Sequence, residues 1–208
     1  MFERMDARNG QQIFKFKNRL LCSRVNPQGE AFEFIESQVA RLEDVPNIFV
    51  VGLGCGYHVK ALLERLPAKR LIVISANAYL LNQFKVLFPI ESAMIEIIEV
   101  QDLRSFTESA LVKEYVTKFY TTLVFQPATH TEPEIYSSIE SMLLGRSEVA
   151  FRWLAQLRGQ MNAPLTPEPI RILKGGALSI KDILFFESQM ECVRMTKSQI
   201  LTLNELIK

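Results

Sequence analysis

Between residues 44 and 162 the chain alternates short apolar runs with stretches whose apolar residues recur every three or four positions. The runs at 47–52, 70–75, 94–100 and 120–126 are nearly continuous in Ile, Val, Leu and Phe, the mark of strands buried on both faces. A helical pattern over 57–66 follows the first run and stops near Pro67. After the second, Asn77 can cap a helix carrying Leu80, Leu81, Phe84, Leu87 and Phe88. A third helix is predicted across 103–118. The fourth starts at Thr131-Glu132-Pro133-Glu134, which has capping-box spacing and an early proline. It carries Ile135, Tyr136, Ile139, Met142 and Leu143 and is predicted to run past Gly145 through Val149, Trp153 and Leu157.

Buried strands alternating with amphipathic helices predict an α/β fold with a parallel sheet covered on both sides. Right-handed crossovers make that sheet doubly wound and Rossmann-like, in the manner of methyltransferases. Before it, residues 9–23 predict a hairpin turning at Asn9-Gly10 and Lys17-Asn18, and Glu30–Glu43 an amphipathic helix after a break at Asn26-Pro27-Gln28-Gly29. After it, three prolines within 164–169 form a stiff linker. Short strand candidates follow at 170–173, 183–186 and 192–195, with a helical turn or two at 203–207. The expected organisation is an N-terminal hairpin-helix arm at 1–43, a Rossmann-like domain at 44–162 and a small β-containing C-terminal appendage at 163–208.

Composition narrows the function classes. Of 208 residues 48% are hydrophobic, enough for a core, and a net charge of +1 gives no general pull toward nucleic acid or an anionic membrane. The longest apolar runs are far too short to span a bilayer, and the charged start is unlike a signal peptide. Three scattered cysteines without a C-x-x-C spacing argue against a disulfide framework or zinc site and for a cytoplasmic location.

The chemistry-bearing stretch is Gly52-Leu53-Gly54-Cys55-Gly56, between the first strand and its helix. A tight strand-to-helix turn presents backbone N–H groups and a positive dipole end, which suits S-adenosylmethionine or a nucleotide-type ligand. A tight turn that binds nothing is the competing reading. The cofactor-binding candidates are Gly52, Gly54, Cys55, Gly56, Tyr57, Ser75, Asn77 and Asp102. Ribose sites in such folds usually place an acid at the tip of the second strand. Here that tip reads Ile74-Ser75-Ala76-Asn77, which offers only neutral hydrogen bonds. Asp102 follows the third strand and reads equally as a helix N-cap. Cys55 lies at a helix N-terminus, which lowers a thiol pKa, but a small residue filling a tight turn explains it as well. His58 and His130 are the two histidines, and neighbouring first and fourth strands would bring them to one rim as acid/base or phosphate-binding candidates. No metal-spaced cluster is present.

Several pieces together resemble the N-terminal region of the motility-associated-factor (Maf) glycosyltransferase-like proteins. They are Leu21-Cys22-Ser23-Arg24-Val25-Asn26-Pro27-Gln28-Gly29-Glu30-Ala31, then Ile48–His58, Tyr136 within Pro133-Glu134-Ile135-Tyr136, and Trp153…Asn162. The resemblance covers about residues 9–163 and implies a Rossmann-like domain from systems that glycosylate flagellin or other surface polymers. Family members usually carry Glu where this chain has Ser75, and the larger ones continue into a second glycine-rich domain that has no counterpart here. The transferase activity is therefore not carried over. The tail segments Ser179–Glu187, Val193–Thr196 and Leu201–Leu206 resemble the first half of a LytTR-type DNA-binding domain. Three functions stay open: an accessory or catalytically degenerate ligand-binding domain, an S-adenosylmethionine-dependent methyltransferase, and a regulator acting through its tail. The implied partners are a small nucleotide-like ligand or a protein, with a homo-oligomer compatible, and any nucleic-acid contact would come from the tail.

Overall fold

Four parallel strands, β4 (Asn47–Val51), β5 (Arg70–Ser75), β6 (Ile95–Glu99) and β7 (Tyr120–Val124), lie in the order β6-β5-β4-β7. The structure is a computed structural model that describes residues 2–89 and 94–157. The chain moves outward from β4 through β5 to β6, then crosses back to place β7 on the other side of β4. That reversal makes the β4/β7 boundary the switch point of a doubly wound, Rossmann-like sheet. The predicted strands match to within two residues at either end because continuous β-branched runs have no other use in so short a span.

Strand periodicity divides the core. Ile48, Val50, Leu71, Val73 and Leu123 point to one face, packed with α3 (Tyr57–Arg65), α4 (Ala78–Leu87) and apolar residues N-terminal to the sheet. Phe49, Val51, Ile72 and Ile74 are fully buried on the other. That face is covered by α8 (Pro133–Leu143), whose Leu143 carbonyl accepts from the Tyr120 hydroxyl at 2.6 Å. The segments α5 (Leu103–Glu108) and α6 (Ala110–Val116) pack beside it. Each fully buried Leu, Ile or Phe contributes about 1.5–3 kcal/mol.

A three-stranded antiparallel sheet, β1 (Phe2–Asp6), β2 (Gln12–Phe16) and β3 (Arg19–Leu20), belongs to the same compact unit as the parallel sheet, Met1–Leu143. Ile13, Phe14, Leu21, Ala31 and Ile35 join the shared core. The β2–β3 turn has positive φ at Lys17 and Asn18, as a two-residue hairpin loop requires. The predicted hairpin is therefore present, with β1 added. That strand escapes a periodicity reading because three of its five residues are charged and it runs along an exposed edge.

Several helix bounds differ from expectation for local reasons. Asn26-Pro27 opens a helix instead of breaking the chain. Asn26 Oδ1 accepts from Gly29 N–H at 3.0 Å and Pro27 sits in the first turn, so α1 spans Pro27–Glu36. Ser37 then ends α1, and α2 (Val39–Leu42) follows as a single turn. Ser109 ends α5 and caps α6, so the helix expected across 103–118 is two pieces. The fourth helix stops at Leu143. Gly145 has φ +63 and α9 (Glu148–Leu157) belongs to a second unit, Leu144–Lys208, where Ser147 Oγ accepts from Ala150 N–H at 3.1 Å. One helical turn, α7 (Gln126–Thr129), lies where the apolar pattern predicts no helix. The linker and tail expectations at 162–208, including the LytTR-like segments, lie outside the described residues. Replacing Asn26 by Ala is expected to lower unfolding free energy by about 1 kcal/mol in urea titrations, because Gly29 N–H loses its partner. An unchanged midpoint would show that the cap carries nothing.

Candidate functional site

In open α/β sheets a ligand sits outside the strand C-termini at the switch point, here between the loop after β4 and the loop after β7. Both loops are present as expected, and they close on each other. Gly52, Gly54 and Gly56 all have positive φ, which lets β4 turn sharply into α3. Every residue from Gly52 through Val59 is buried. A Cβ on Gly52 would stand 3.2 Å from Thr129 Cγ2, and one on Gly54 would stand 2.7 Å from Ala128 Cβ and 2.9 Å from its Cα. One on Gly56 would overlap the Phe84 ring. The glycines thus admit α7 on one side and α4 on the other. Pro127, early in α7, was the available sequence signal for that turn.

The loop is also clamped from the N-terminal side. Cys55 Sγ accepts from Phe14 N–H at 3.3 Å, and the Tyr57 hydroxyl donates to Gln12 O at 2.8 Å. Burial pushes that hydroxyl up to about 12, so it remains a donor. The Cys22 thiol lies against Cys55, and this contact together with burial raises its pKa, so it stays protonated at neutral pH. Two of the stretches that carry the resemblance, 21–31 and 48–58, therefore meet in space. One supplies Leu21, Cys22 and the capped start of α1, the other the glycine turn.

At the tip of β5 the position expected to hold a ribose acid is Ser75, fully buried. Its hydroxyl donates to Asn77 O at 3.2 Å and accepts from Asn77 N–H at 3.3 Å. Asn77 caps α4, accepting from Leu80 N–H at 3.1 Å. Over this corner stands Tyr136 from α8, whose hydroxyl accepts from Ala76 N–H at 2.9 Å. Burial raises its pKa and keeps it neutral. Asp102 is an N-cap: it accepts from Ser105 N–H at 2.7 Å within a capping box. The hydrogen bond from that amide, with further bonds from Ser105, lowers its carboxyl pKa.

The two histidines differ. His58 is 1% exposed, stacks on Phe125 with ring centroids 4.7 Å apart, and places Nε2 2.9 Å from Gly52 O. A carbonyl only accepts, so Nε2 carries the proton and donates. Burial without a counter-charge drops the His58 pKa to about 4. His130 follows α7 half-buried, with Nδ1 enclosed and lacking a hydrogen-bond partner. Sequence periodicity brings the correct strands together but does not reveal Ala128, Thr129, Phe84 and Tyr136 as the groups that fill the rim. Among the described residues no three His, Cys, Asp or Glu side chains are grouped as a metal site would need, and no helix is long and apolar enough to cross a membrane.

No known protein-family profile matches this sequence, and no curated protein matches it. Among solved structures the chain is similar to a Maf glycosyltransferase from Magnetospirillum magneticum AMB-1, at 10% identity and a TM-score of 0.44. The match covers 69% of this chain and 30% of that one, so the chain spans less than a third of the solved protein's length.

Proposed function

We propose that this chain is an accessory, catalytically silent Rossmann-like domain, akin to the N-terminal region of Maf-type surface-glycan proteins, that acts through a protein partner. The observation carrying this reading is the approach of Ala128 to Gly54, which sets the chain's own helical turn against the glycine loop at the switch point. Tyr136 on Ala76 N–H and the neutral, inward-turned His58 support it, since they occupy the groups an adenosine or a general acid/base would need. The Ser23–Ala31 and Ile48–His58 stretches then act as the joint between two sheets.

The test is a thermal-shift panel of S-adenosylmethionine, nucleotides and cytidine-linked sugars. No ligand is expected to raise the melting temperature. A ligand held at 100 times its Kd would add about 2.7 kcal/mol, so a selective shift of that size overturns the reading. In that event Gly52, Gly54, Cys55, Gly56, Tyr57, Ser75, Asn77 and Asp102 become the rim the ligand meets, and α7 must withdraw to admit it. The methyltransferase alternative keeps the strand order in its favour and stands or falls on the same panel.

A further inference from the structure

We propose that the outer edge of β1, unpaired among the described residues, is the contact through which two copies of this chain pair, in one defined antiparallel register. The hydrogen-bond pattern identifies the groups on that edge. Ala7 N–H donates to Gln11 O at 2.7 Å, so Ala7 and Gln11 form a hydrogen-bonded pair. Pairing alternates along an antiparallel ladder, so Met5–Ile13 and Glu3–Lys15 are hydrogen-bonded too, while Asp6–Gln12, Arg4–Phe14 and Phe2–Phe16 are not. Phe14 follows the rule: its N–H turns away from β1 to Cys55 Sγ, and its carbonyl accepts from Leu21 N–H. The backbone groups of Phe2, Arg4 and Asp6 therefore face outward from β1, the outer strand of its sheet among the described residues. Arg4 and Asp6 are exposed.

An open row of backbone donors and acceptors is a template for another strand. Charge on an edge usually repels a second copy, but here opposite signs stand two residues apart. Only residues whose backbone groups face outward can pair by hydrogen bonds across a two-fold axis, which excludes slips of one residue. Three registers pair more than one of these residues; those centred on Phe2 and Asp6 pair only one. One centred on Glu3 opposes Glu3 to itself, and one centred on Arg4 opposes Arg4 to itself. The register centred on Met5 opposes Arg4 to Asp6 of the second copy twice, and Met5 to Met5 on the other face. It joins the two small sheets with about four backbone hydrogen bonds and two opposite-charge pairs. The contact is small, so the expected dissociation constant is on the order of 100 µM.

Sedimentation equilibrium of the full chain across that concentration range tests the pairing. Arg4→Asp or Asp6→Arg alone places like charges opposite each other twice and is expected to weaken association by about tenfold. The double variant R4D/D6R restores it. A monomer at millimolar concentration, or a double variant no better than the singles, overturns the proposal. Register is read by single cysteines in a Cys192→Ser background under oxidised glutathione. Met5→Cys falls at a non-hydrogen-bonded pair with Cα atoms about 4.5 Å apart, close enough for a disulfide, and is expected to give a covalent dimer. Dominant cross-linking of Glu3→Cys or Arg4→Cys would place the axis elsewhere and equally overturn the proposal.

Discussion

Gly54→Ala is expected to lower the unfolding free energy by about 3 kcal/mol with no ligand present. Two costs add. The φ of +49 strains any residue with a Cβ by about 1–2 kcal/mol. The new Cβ also lands 2.9 Å from Ala128 Cα, a backbone atom that a side-chain rotation cannot move. Gly10 supplies the control. It has φ +79 and nothing within 4 Å of a built Cβ, so Gly10→Ala carries the strain without the collision. Urea titrations of the two variants separate these costs by subtraction. The double variant G54A/A128G removes the Ala128 Cβ, which would otherwise be 2.7 Å away, and a positive coupling of about 1 kcal/mol is expected in the double-mutant cycle. A loop shaped for a ligand makes a different forecast: Gly54→Ala would cost no more than Gly10→Ala, and only binding would suffer. Equal losses at the two positions would mean that α7 does not seat on the glycine turn in solution.

That contrast marks where the sequence stops informing. The parallel sheet is legible because Ile48–Val51 and Leu71–Ile74 are apolar without interruption, and each is followed by a helical pattern. Local chemistry also marks Asn77 and Asp102 as caps, with the acceptor one residue ahead of its helix. The content of the crevice is not legible. Glycines spaced one apart signal that something approaches the backbone closely, and the pattern is the same for a pyrophosphate as for Ala128. Deciding between them needs the position of α7, a single turn that no periodicity announces. Ser75 is the partial exception. A neutral residue at the ribose corner already weakened the ligand reading, and the structure puts Tyr136 over that corner. The breaks at Ser37 and Ser109 escape a periodicity reading because apolar spacing continues across both, while the serine itself ends one helix and, at Ser109, caps the next.

His58 carries the second large effect, a loss of stability in acid. In the unfolded chain its imidazole titrates near 6.5, and in the fold burial lowers this to about 4. Between these values the unfolded chain binds a proton that the folded chain refuses, so stability falls as pH falls. The contribution is complete above about pH 6.5, declines through that window, and stops changing below pH 4, where both states are protonated. A gap of this size corresponds to on the order of 3 kcal/mol between pH 7 and 4. Carboxylates titrate across the lower part of the same window, so the measurement is a difference. Unfolding free energies of the wild type and of His58→Gln are taken from pH 4 to 8, and the variant curve is subtracted. The variant is less stable at pH 7, because the Phe125 stack is lost, and its profile is flatter by the His58 share. His58→Phe keeps an aromatic ring beside Phe125 but leaves the Gly52 carbonyl without its donor, and it is expected to flatten the profile equally. Parallel profiles for wild type and both variants would mean that the ring titrates normally. It would then reach solvent on the rim, and a proton-transfer role for His58 would return to consideration.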